Sequence, residues 1–389
     1  MKKENYFWAM RKYDYIFAGT GLSALMTVYE MVLSKKFSEK KILLLDADLK
    51  RTNDRTWCFW EKPNGRYENL VHKKWDVAVF SNETYTRDLD LKPYQYKMIQ
   101  GLDFYKFVFE IISAEKNIEF SNQKIVSFQE EDNRVFVKTE TEEFSCHKLF
   151  NSIFNPKEIL EQDKYPLLQQ HFIGWKIKSS EAVFTPEKAT FMDFSVAQKG
   201  NTRFMYVLPS SENEALIEYT LFSKELLPKE EYEDAIKDYI ENLGIKNYEI
   251  LEKEAGNIPM TSYQFWNKNS KNILNIGSAG GWTKASTGYT FKSASKKSKA
   301  LVSFLVQEND FRKFYKRTKF WFYDLLLLDI LAQKNQVGSS IFSAMFKKGN
   351  PSLIFKFLDE ETTFSEDIQV ILKCPKGIFL KALFDRLYK

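Results

Sequence analysis

The stretch YDYIFAGTGLSALMTVYEMVL, residues 13–33, decides the fold. An apolar run at 13–18 leads into a glycine turn, and the segment 22–33 that follows is typical of a helix. A second continuous apolar run, KILLL at 41–45, ends at Asp46. Continuous apolar runs of this length are typical of strands that are covered on both faces, as in a parallel sheet. The segment therefore predicts a parallel β–α–β unit.

The glycine turn reads GTGLSA and matches the pattern GxGxxA. Gly19 permits the tight turn, Gly21 lets the backbone approach a pyrophosphate, and the small Ala24 allows close helix–strand packing. A phosphate would then face the helix N-terminus, where free N–H groups favour an anion. Asp46 closes the second strand 25 residues after Gly21, where an acid can bind ribose hydroxyls. The pattern predicts a dinucleotide site, and the alternative is a plain β–α turn with a solvated Asp46.

A second glycine cluster follows the apolar run NILNI at 272–276 and reads GSAGGWT, with STGY shortly after it. Its backbone N–H groups could bind flavin oxygens, although Ser278 stands where many flavoproteins have an aspartate. Two such clusters far apart in the chain favour FAD over NAD, because FAD is held at both ends. The alternative is an ordinary glycine-rich loop. The cofactor-binding candidates in this cluster are Gly277, Gly280, Gly281, Thr287 and Gly288.

Composition argues against several functional classes. Lysine and arginine exceed aspartate and glutamate by only 57 − 52 = 5, which is too small an excess to indicate nucleic-acid binding. The cysteines and histidines are few and scattered, so neither a disulfide framework nor a metal centre is expected. Aromatic residues reach 16%, which indicates either a phenylalanine-rich core or an apolar binding tunnel. The first 13 residues lack the apolar region of a signal peptide, which favours a cytoplasmic protein.

A strand, a glycine turn and a helix occur at the start of the chain and again near residue 277, so the domains are expected to be interleaved. The sequence predicts an α/β protein in which a Rossmann-like FAD-binding domain is combined with a substrate domain built on a mixed or antiparallel sheet. A helical C-terminal region completes it. The expected ranges are 1–80, 102–160 and 270–300 for the FAD-binding domain, 81–101 and 161–269 for the substrate domain, and 301–389 for the helical region.

Several segments, taken together, resemble one family. NDRTWCF at 53–59 resembles the N-x-x-T-W-x-F segment of bacterial lycopene β-cyclases, and QHFIGW at 170–175 resembles their Q-x-F-x-G-x segment. Their M-D, Y-x-L-P and I-E-x-T series is matched in order by FMD at 191–193, RFMYVLP at 203–209 and LIEYT at 216–220. The chain is therefore identified as a member of the FAD-dependent lycopene cyclase family over nearly its whole length. One departure is Tyr219, where the family usually has an aspartate.

The resemblance implies a substrate with no polar handle, namely lycopene or another carotenoid with acyclic ends. Its cyclisation begins with protonation of the terminal C1=C2 double bond and ends with loss of a proton from C6, with no net redox change. Glu218 is the expected acid–base carboxylate because it lies in an otherwise apolar strand, where burial would raise its pKa. The alternative is that Glu218 points outward, and Asp193 is the second catalytic candidate. The resemblance further implies Arg55 and Thr56 for the cofactor, and Trp175, Phe204, Tyr206 and Tyr289 for the substrate.

The resemblance also implies that reduced FAD is required, with NAD(P)H as the electron source, and that lycopene passes through γ-carotene to β-carotene. Two other functional classes stay open at this point. One is another flavoenzyme of the same fold class, such as a monooxygenase or a geranylgeranyl reductase, which would consume NAD(P)H stoichiometrically. The other is a flavoprotein that carries carotenoids without converting them.

A membrane surface is the expected partner, because lycopene lives in the bilayer. No run reaches the ~18 apolar residues of a membrane-spanning helix, and the best candidate, 320–332, contains Asp324 and Asp329. Residues 311–321, FRKFYKRTKFW, interleave basic and aromatic residues as interfacial helices do. The alternative is a solvated helix that packs its aromatic side chains inward. The expected location is the cytoplasm, with peripheral attachment to the inner face of the cell membrane.

Overall fold

The computed structural model describes residues 10–387, apart from the side chain of residue 158. The terminal residues 1–9 and 388–389, which the expected domain ranges include, lie outside the described residues. The strands are β1 Arg11–Ala18, β2 Ile42–Asp46, β3 Thr56–Glu61, β4 Lys73–Trp75, β5 Val77–Asn82, β6 Tyr85–Asp90, β7 Gln95–Gln100, β8 Ile118–Asn122, β9 Ile125–Glu131, β10 Arg134–Thr139, β11 Glu143–Asn151, β12 Leu168–Ser179, β13 Lys188–Asp193, β14 Thr202–Pro209, β15 Glu214–Ser223, β16 Tyr248–Met260 and β17 Ile273–Asn275. The helices are α1 Leu22–Ser34, α2 Gly101–Ser113, α3 Lys157–Leu160, α4 Lys229–Asn242, α5 Phe291–Gln307, α6 Lys319–Gln333, α7 Gly338–Lys348, α8 Pro351–Leu358, α9 Phe364–Ile371 and α10 Lys376–Leu387.

The first sheet contains the predicted β–α–β unit. Its strand order is β8-β2-β1-β11-β10-β9, and β17 also pairs with β11. Strands β8, β2, β1, β11 and β17 pair in parallel, whereas β10 and β9 extend the sheet antiparallel. Leu44 joins the core formed with α1, α2 and α5, and its neighbours Leu43 and Leu45 join the core on the opposite face. Burial on both faces explains the continuous apolar runs and confirms the Rossmann-like architecture.

The second sheet has the order β16-β12-β15-β14-β13-β5-β6 and is antiparallel except where β13 pairs with β5. One face packs against α4, with Ile217 and Tyr219 contributing to that core. The other face packs against α6, α7 and α8, and includes Phe204 and Phe222. Successive side chains of a strand point to opposite faces, so this alternation decides which residues of β12–β16 face α4 and which do not. The fold is therefore the expected combination of a parallel sheet, a mixed sheet and C-terminal helices.

A third, small sheet of order β3-β7-β4 connects the two larger ones. β5 begins two residues after β4 ends, yet β5 belongs to the second sheet. The expected domain boundary at residue 80 therefore falls inside β5, and the boundary at 300 falls inside α5. The packing of α5 against α1 keeps the whole of α5 with the first sheet.

The stretch 311–321 does not form the interfacial helix that its sequence indicates. It contains a short 3₁₀ turn and an irregular link, and only its last residues belong to α6. Phe311 is buried, Tyr315 stacks on Trp266 with 3.7 Å between ring centroids, and the Trp321 indole N–H donates to the Ser262 carbonyl at 3.0 Å. The aromatic side chains pack against the protein, because that contact buries them and satisfies the indole donor. Within residues 10–387, no helix is long and apolar enough to cross a bilayer.

Candidate active site

A cavity of about 440 Å³ is lined by turns and a helix start beside the first sheet and by strands of the second and third sheets. One end is formed by the first glycine turn and the start of α1, and the second glycine cluster forms the adjoining wall. The other end is formed by β3, β7, β12, β14, β15 and β16. The sequence-predicted residues that line this cavity are Gly21, Arg55, Thr56, Tyr206, Glu218, Gly277, Thr287, Gly288 and Tyr289.

The first glycine turn presents an open helix N-terminus to the cavity. Gly19 has φ 88°, and a Cβ there would lie 2.5 Å from the Ser152 hydroxyl oxygen, so no other residue fits without strain. No atom lies within 4 Å of the position that a Cβ on Gly21 would occupy. α1 has no side-chain N-cap, which leaves the N–H groups of its first turn free to bind an anion. Lys50 and Arg55 line the same cavity and supply positive charge.

Ala24 and Asp46 support this turn from outside the cavity. Ala24 is fully buried in the core between α1 and the sheet, as expected for the small residue of the pattern. One oxygen of Asp46 accepts hydrogen bonds from the Thr20 amide at 2.6 Å and from the Thr20 hydroxyl at 2.8 Å. The same oxygen lies 3.8 Å from the Lys50 ammonium. Asp46 does not line the cavity but holds the turn in place.

The second glycine cluster meets the first turn at Ser23. A Cβ on Gly277, where φ is 60°, would lie 3.3 Å from the Ser23 hydroxyl oxygen, so the two turns approach closely. Gly280 and Gly281 do not face this cavity; they line a separate one of about 240 Å³ behind the turn. A Cβ on Gly280 would lie 2.1 Å from the Asn275 carbonyl oxygen, which explains why glycine is needed there. Gly280 and Gly281 therefore shape the turn from its far side.

Two buried polar atoms without a hydrogen-bond partner in the described part of the chain belong to residues that line the cavity. The side-chain oxygens of Gln170 and Thr287 have no hydrogen-bond partner among the described residues. Both residues are more than nine-tenths buried and both line the cavity. Buried polar atoms almost always have a partner, so these two oxygens are suited to a polar ligand. The open helix N-terminus, the cations and these oxygens together fit a dinucleotide cofactor such as FAD.

Two carboxylates lie side by side at the other end of the cavity. Glu218 on β15 and Glu254 on β16 both pair in register with Gly174 on β12, which runs between them. The Thr220 hydroxyl donates to Glu218 at 2.5 Å, and the Thr56 hydroxyl donates to Glu254 at 3.1 Å. Gly174 leaves room for Glu254, since a Cβ there would lie only 3.1 Å from Cγ of Glu254.

The pKa of Glu218 is raised to about 8: burial contributes most to the rise, repulsion by Glu254 adds to it, and the hydrogen bond from Thr220 opposes both. Burial also raises the pKa of Glu254, against the effect of the bond from Thr56. Two neighbouring carboxylates without a paired cation cannot both ionise readily. The pair therefore keeps a proton at neutral pH, which is the state a general acid needs.

Aromatic side chains surround the carboxylate end. The Tyr96 and Tyr289 hydroxyls are hydrogen-bonded at 3.1 Å, and the Trp60 ring meets Tyr289 edge-on at 4.8 Å. Tyr206 pairs with Glu218 across the β14–β15 ladder. Burial raises the pKa of Tyr206 and Tyr289 well above the ordinary tyrosine value, so both stay neutral. This end of the cavity combines a protonated acid with π-rich walls, which can stabilise a positive charge.

Three predicted site residues lie elsewhere. Trp175 and Asp193 face α4, on the opposite side of the second sheet from Glu218. Asp193 accepts a hydrogen bond from the Tyr239 hydroxyl of α4 at 2.7 Å, and Trp175 packs in the α4 core. Phe204 is on the same face as Glu218 but is enclosed in the core with α7 rather than lining the cavity. Side chains alternate between the two faces of a strand, and this alternation places the three residues there. Residue spacing alone does not tell which face each of them takes.

The sequence reasoning missed Glu254, Cys58, Tyr96 and Gln170, all of which line the cavity. Cys58 and Gln170 belong to quoted motifs, and Glu254 lies two residues before Gly256 in the segment EAGNIP. Only the pairing of β12 with both β15 and β16 places Glu254 beside Glu218. Among the described residues, no group of three or more His, Cys, Asp or Glu side chains is placed to hold a metal ion.

The fold is shared with several solved flavoprotein structures. A geranylgeranyl bacteriochlorophyll reductase-like protein from Thermoplasma acidophilum is 12% identical, with a TM-score of 0.61 over 97% of this chain and 100% of that one. A flavoprotein/dehydrogenase from Cytophaga hutchinsonii is 13% identical, with a TM-score of 0.62 over 96% and 100% of the two chains. Halogenase PltM, solved in complex with phloroglucinol and FAD, is 13% identical, with a TM-score of 0.55 over 88% and 79%. Identities this low establish the fold and not the reaction.

No curated protein sequence is a significant match to this chain. The family model described as lycopene cyclase protein does match, over residues 14–383. That range contains both glycine clusters, the carboxylate pair and the C-terminal helices up to α10. Because the match covers nearly the whole chain, the protein belongs to the lycopene cyclase family.

Proposed function

We propose that the protein is a lycopene β-cyclase, which closes the acyclic ends of lycopene into β-rings and yields γ-carotene and then β-carotene. The observation that carries this proposal is Glu218, a carboxyl whose pKa is raised by burial and which faces a cavity that also reaches an open dinucleotide turn. Alkene protonation needs an acid that is still protonated at neutral pH. The family membership supplies the class of substrate.

In the proposed reaction, Glu218 donates its proton to C2 of the terminal double bond, which leaves a cation at C1. The C5=C6 bond attacks C1 and forms the C1–C6 bond, so that the positive charge moves to C5. Loss of the proton from C6 then forms the ring double bond and returns one proton to the carboxylate site. Tyr206 and Tyr289 present π-rich walls to the cation. Atoms and charge balance without any net oxidation.

FAD is the cofactor that we propose for the rest of the cavity. Gly21 and the first turn of α1 would hold its pyrophosphate with Lys50 and Arg55, and Thr287 and Gln170 would supply polar contacts. When bound in its reduced form, FAD supplies electron density near a developing cation. NAD(P)H is the proposed source of the electrons that keep it reduced.

The proposal is tested by expressing the chain in a lycopene-accumulating bacterium and analysing the pigments. Wild type should convert lycopene to β-carotene, and Glu218→Gln should reduce conversion by at least about 100-fold because it removes the general acid. The flavin spectrum of the purified Glu218→Gln protein should match that of wild type. Glu214→Gln is the matched control, since Glu214 lies on the same strand but pairs with Lys178 away from the cavity.

Other outcomes would favour a different function. Stoichiometric consumption of NAD(P)H or oxygen would favour a reductase or monooxygenase, both of which share this fold class. Binding of lycopene without conversion would favour a carotenoid carrier. Full activity of Glu218→Gln would remove Glu218 from the mechanism.

The substrate's solubility in lipid requires contact with a bilayer, and we propose that α9 and α10 provide it. The two helices and the link between them expose apolar side chains, and exposed lysines lie among them. A row of this kind fits the surface of an anionic bilayer, where apolar groups insert and lysines contact headgroups. The apolar residues are Phe364, Ile368, Leu372, Leu380, Phe384 and Leu387, and the lysines are Lys373, Lys376 and Lys381.

Vesicle co-sedimentation tests this surface. The double variant Leu380→Gln with Phe384→Gln should lose most binding to vesicles that contain anionic lipid, while Leu226→Gln, an exposed leucine outside both helices, should bind as wild type does. Unchanged vesicle binding in the double variant would contradict the proposal. A change in oligomeric state instead would indicate that the surface joins two copies of the chain.

A further inference from the structure

Glu254 occupies a position between two cavities. Besides the main cavity, it lines a small one of about 40 Å³, and Thr56 also borders both. The small cavity is lined by apolar side chains, such as Met98, and by polar ones, among them the exposed residues His72 and Glu252. Glu254 therefore connects the carboxylate end of the main cavity with a smaller cavity that has exposed polar residues in its lining.

The geometry also ties Glu254 to Glu218. Their strands flank β12, so their backbones are separated by two strand spacings, or about 10 Å, and their side chains share one face at the level of Gly174. The glycine places no side chain between them. Among the described residues, each carboxylate is hydrogen-bonded to a threonine hydroxyl and neither forms an ion pair. Such a pair titrates as a unit rather than as two independent acids.

We propose that Glu254 is the proton-exchange partner of Glu218: the two carboxylates share one proton, and Glu254 exchanges it with water through the small cavity. The inference rests on the proposed cyclase function, in which Glu218 gives a proton to C2 and the site regains one from C6. Exchange through Glu254 lets the proton on Glu218 come from solvent before each cyclisation. Glu254 acts through Glu218 and is in this sense a positioning residue.

The surrounding groups are consistent with this role. The neutral side chains that line the main cavity with the pair include Cys58, Tyr96, Tyr206 and Tyr289. The charged or titratable ones are Arg55 at the main cavity, and His72, Lys176 and Glu252 at the small one. Attraction to Arg55 lowers the pKa of Glu254 and repulsion by Glu252 raises it, while burial has the largest effect and raises it.

Infrared titration of the purified, substrate-free holoprotein, labelled with ¹³C-glutamate, provides a readout that does not depend on activity. Wild type should show a glutamic acid band that persists at neutral pH. In Glu254→Gln that band should disappear at lower pH, because the neighbouring negative charge is gone, and in Glu218→Gln it should be lost at neutral pH. Glu254→Asp, which keeps a carboxylate, should restore much of the wild-type titration.

Glu249→Gln is the matched control, because Glu249 is exposed on the same strand and lines neither cavity. It should titrate as wild type does. An unchanged titration in Glu254→Gln would overturn the proposed coupling, whatever the enzyme's activity.

Cyclisation in D₂O tests the exchange step. Each new ring formed by wild type should carry solvent deuterium, whereas Glu254→Gln should incorporate less label per ring, because the proton removed from C6 is reused. Full labelling in Glu254→Gln would overturn the exchange role. If wild type itself shows no cyclisation, the proposed function is contradicted. The infrared titration would still decide whether the two carboxylates are coupled.

Discussion

Two buried acidic sites in this protein differ in what lies next to the acid. Glu218 and Glu254 face each other across Gly174 with no cation bonded to either among the described residues. Asp324 on α6 is also buried, but both of its oxygens lie 3.0 Å from the Lys284 ammonium. Burial raises the pKa of the acid at both sites, but attraction to Lys284 opposes the rise at Asp324, and no cation within residues 10–387 opposes it at Glu218.

The ion pair between Lys284 and Asp324 holds a turn of the cavity lining in place. Burial alone would lower the pKa of Lys284, but attraction to Asp324 and Glu360 raises it above the ordinary lysine value, so it stays charged. The Lys284 carbonyl accepts the Gly288 amide, and the Lys284 amide donates to the Tyr289 carbonyl, each at 2.9 Å. The ion pair thus fastens α6 to the turn that carries Thr287, Gly288 and Tyr289 into the cavity. The Glu218–Glu254 pair therefore keeps a proton, whereas the Lys284–Asp324 ion pair holds a part of the cavity lining in place.

The largest expected effect comes from breaking the ion pair. Asp324→Asn should lower the free energy of unfolding by about 3–5 kcal/mol, because it leaves the buried Lys284 with only Glu360 nearby. Urea denaturation measures this loss. Glu361→Gln, which breaks an exposed pair with Lys296, should cost less than about 1 kcal/mol. If both substitutions lower the free energy of unfolding equally, the buried Lys284–Asp324 pair stabilises the fold no more than an exposed pair does.

A smaller effect of opposite sign is expected at the carboxylate pair. The folded-state pKa of Glu218 is raised to about 8, whereas an unfolded glutamate titrates near ~4.3, so the folded protein binds more protons between these values. Wild type should therefore lose stability relative to Glu218→Gln as the pH rises through this window. After solvent screening, the difference near the upper end should be on the order of 1–2 kcal/mol.

Urea midpoints of the two proteins, compared across that pH range, check the sign. Glu214→Gln should track wild type throughout, since Glu214 is paired with Lys178 at the surface. A difference that stays constant with rising pH would mean that the pKa of Glu218 is not raised in the folded state.

The smallest change in stability is expected at the residue that separates the two carboxylates. A Cβ on Gly174→Ala would lie 3.1 Å from Glu254 Cγ and from Leu216 Cδ1, so both side chains must shift by a few tenths of an ångström. Reduced freedom of the unfolded chain offsets this crowding, and the net change in unfolding free energy should stay within about 1 kcal/mol. Cyclisation should fall several-fold, because Glu254 is displaced relative to Glu218. Activity equal to wild type would show that their spacing is not critical.

Local patterns determined the first sheet and the turn at its edge. The apolar runs at β1 and β2, the glycine turn and the helix between them are all short-range features, and the structure has each of them in the predicted place. Gly19 has φ 88°, a left-handed conformation that belongs to the tight turn itself. Glu218 was also accessible to sequence reasoning, because it interrupts an apolar strand within a series of motifs that resemble one family.

Tertiary structure alone decided the partners of these residues. Glu254 and Thr56 are distant from Glu218 in the chain and reach it through strand pairing, which no local pattern specifies. Neighbouring residues of a strand point to opposite faces of the sheet. Trp175 and Asp193 lie on the face that packs against α4, opposite to Glu218. The two acids in the apolar run of α6 are explained by their ion-pair partners, which are distant in the chain. Asp324 pairs with Lys284, and Asp329 pairs with Arg386 of α10.

The sequence by itself therefore determined which segments are strands and helices, where the dinucleotide turn lies and which carboxyl interrupts an apolar strand, because these depend on neighbours a few residues away. The tertiary structure decided which charges meet, which stay unpaired and which side chains face the cavity. Those outcomes depend on contacts between residues far apart in the chain, and the energy of a buried charge is set by such contacts.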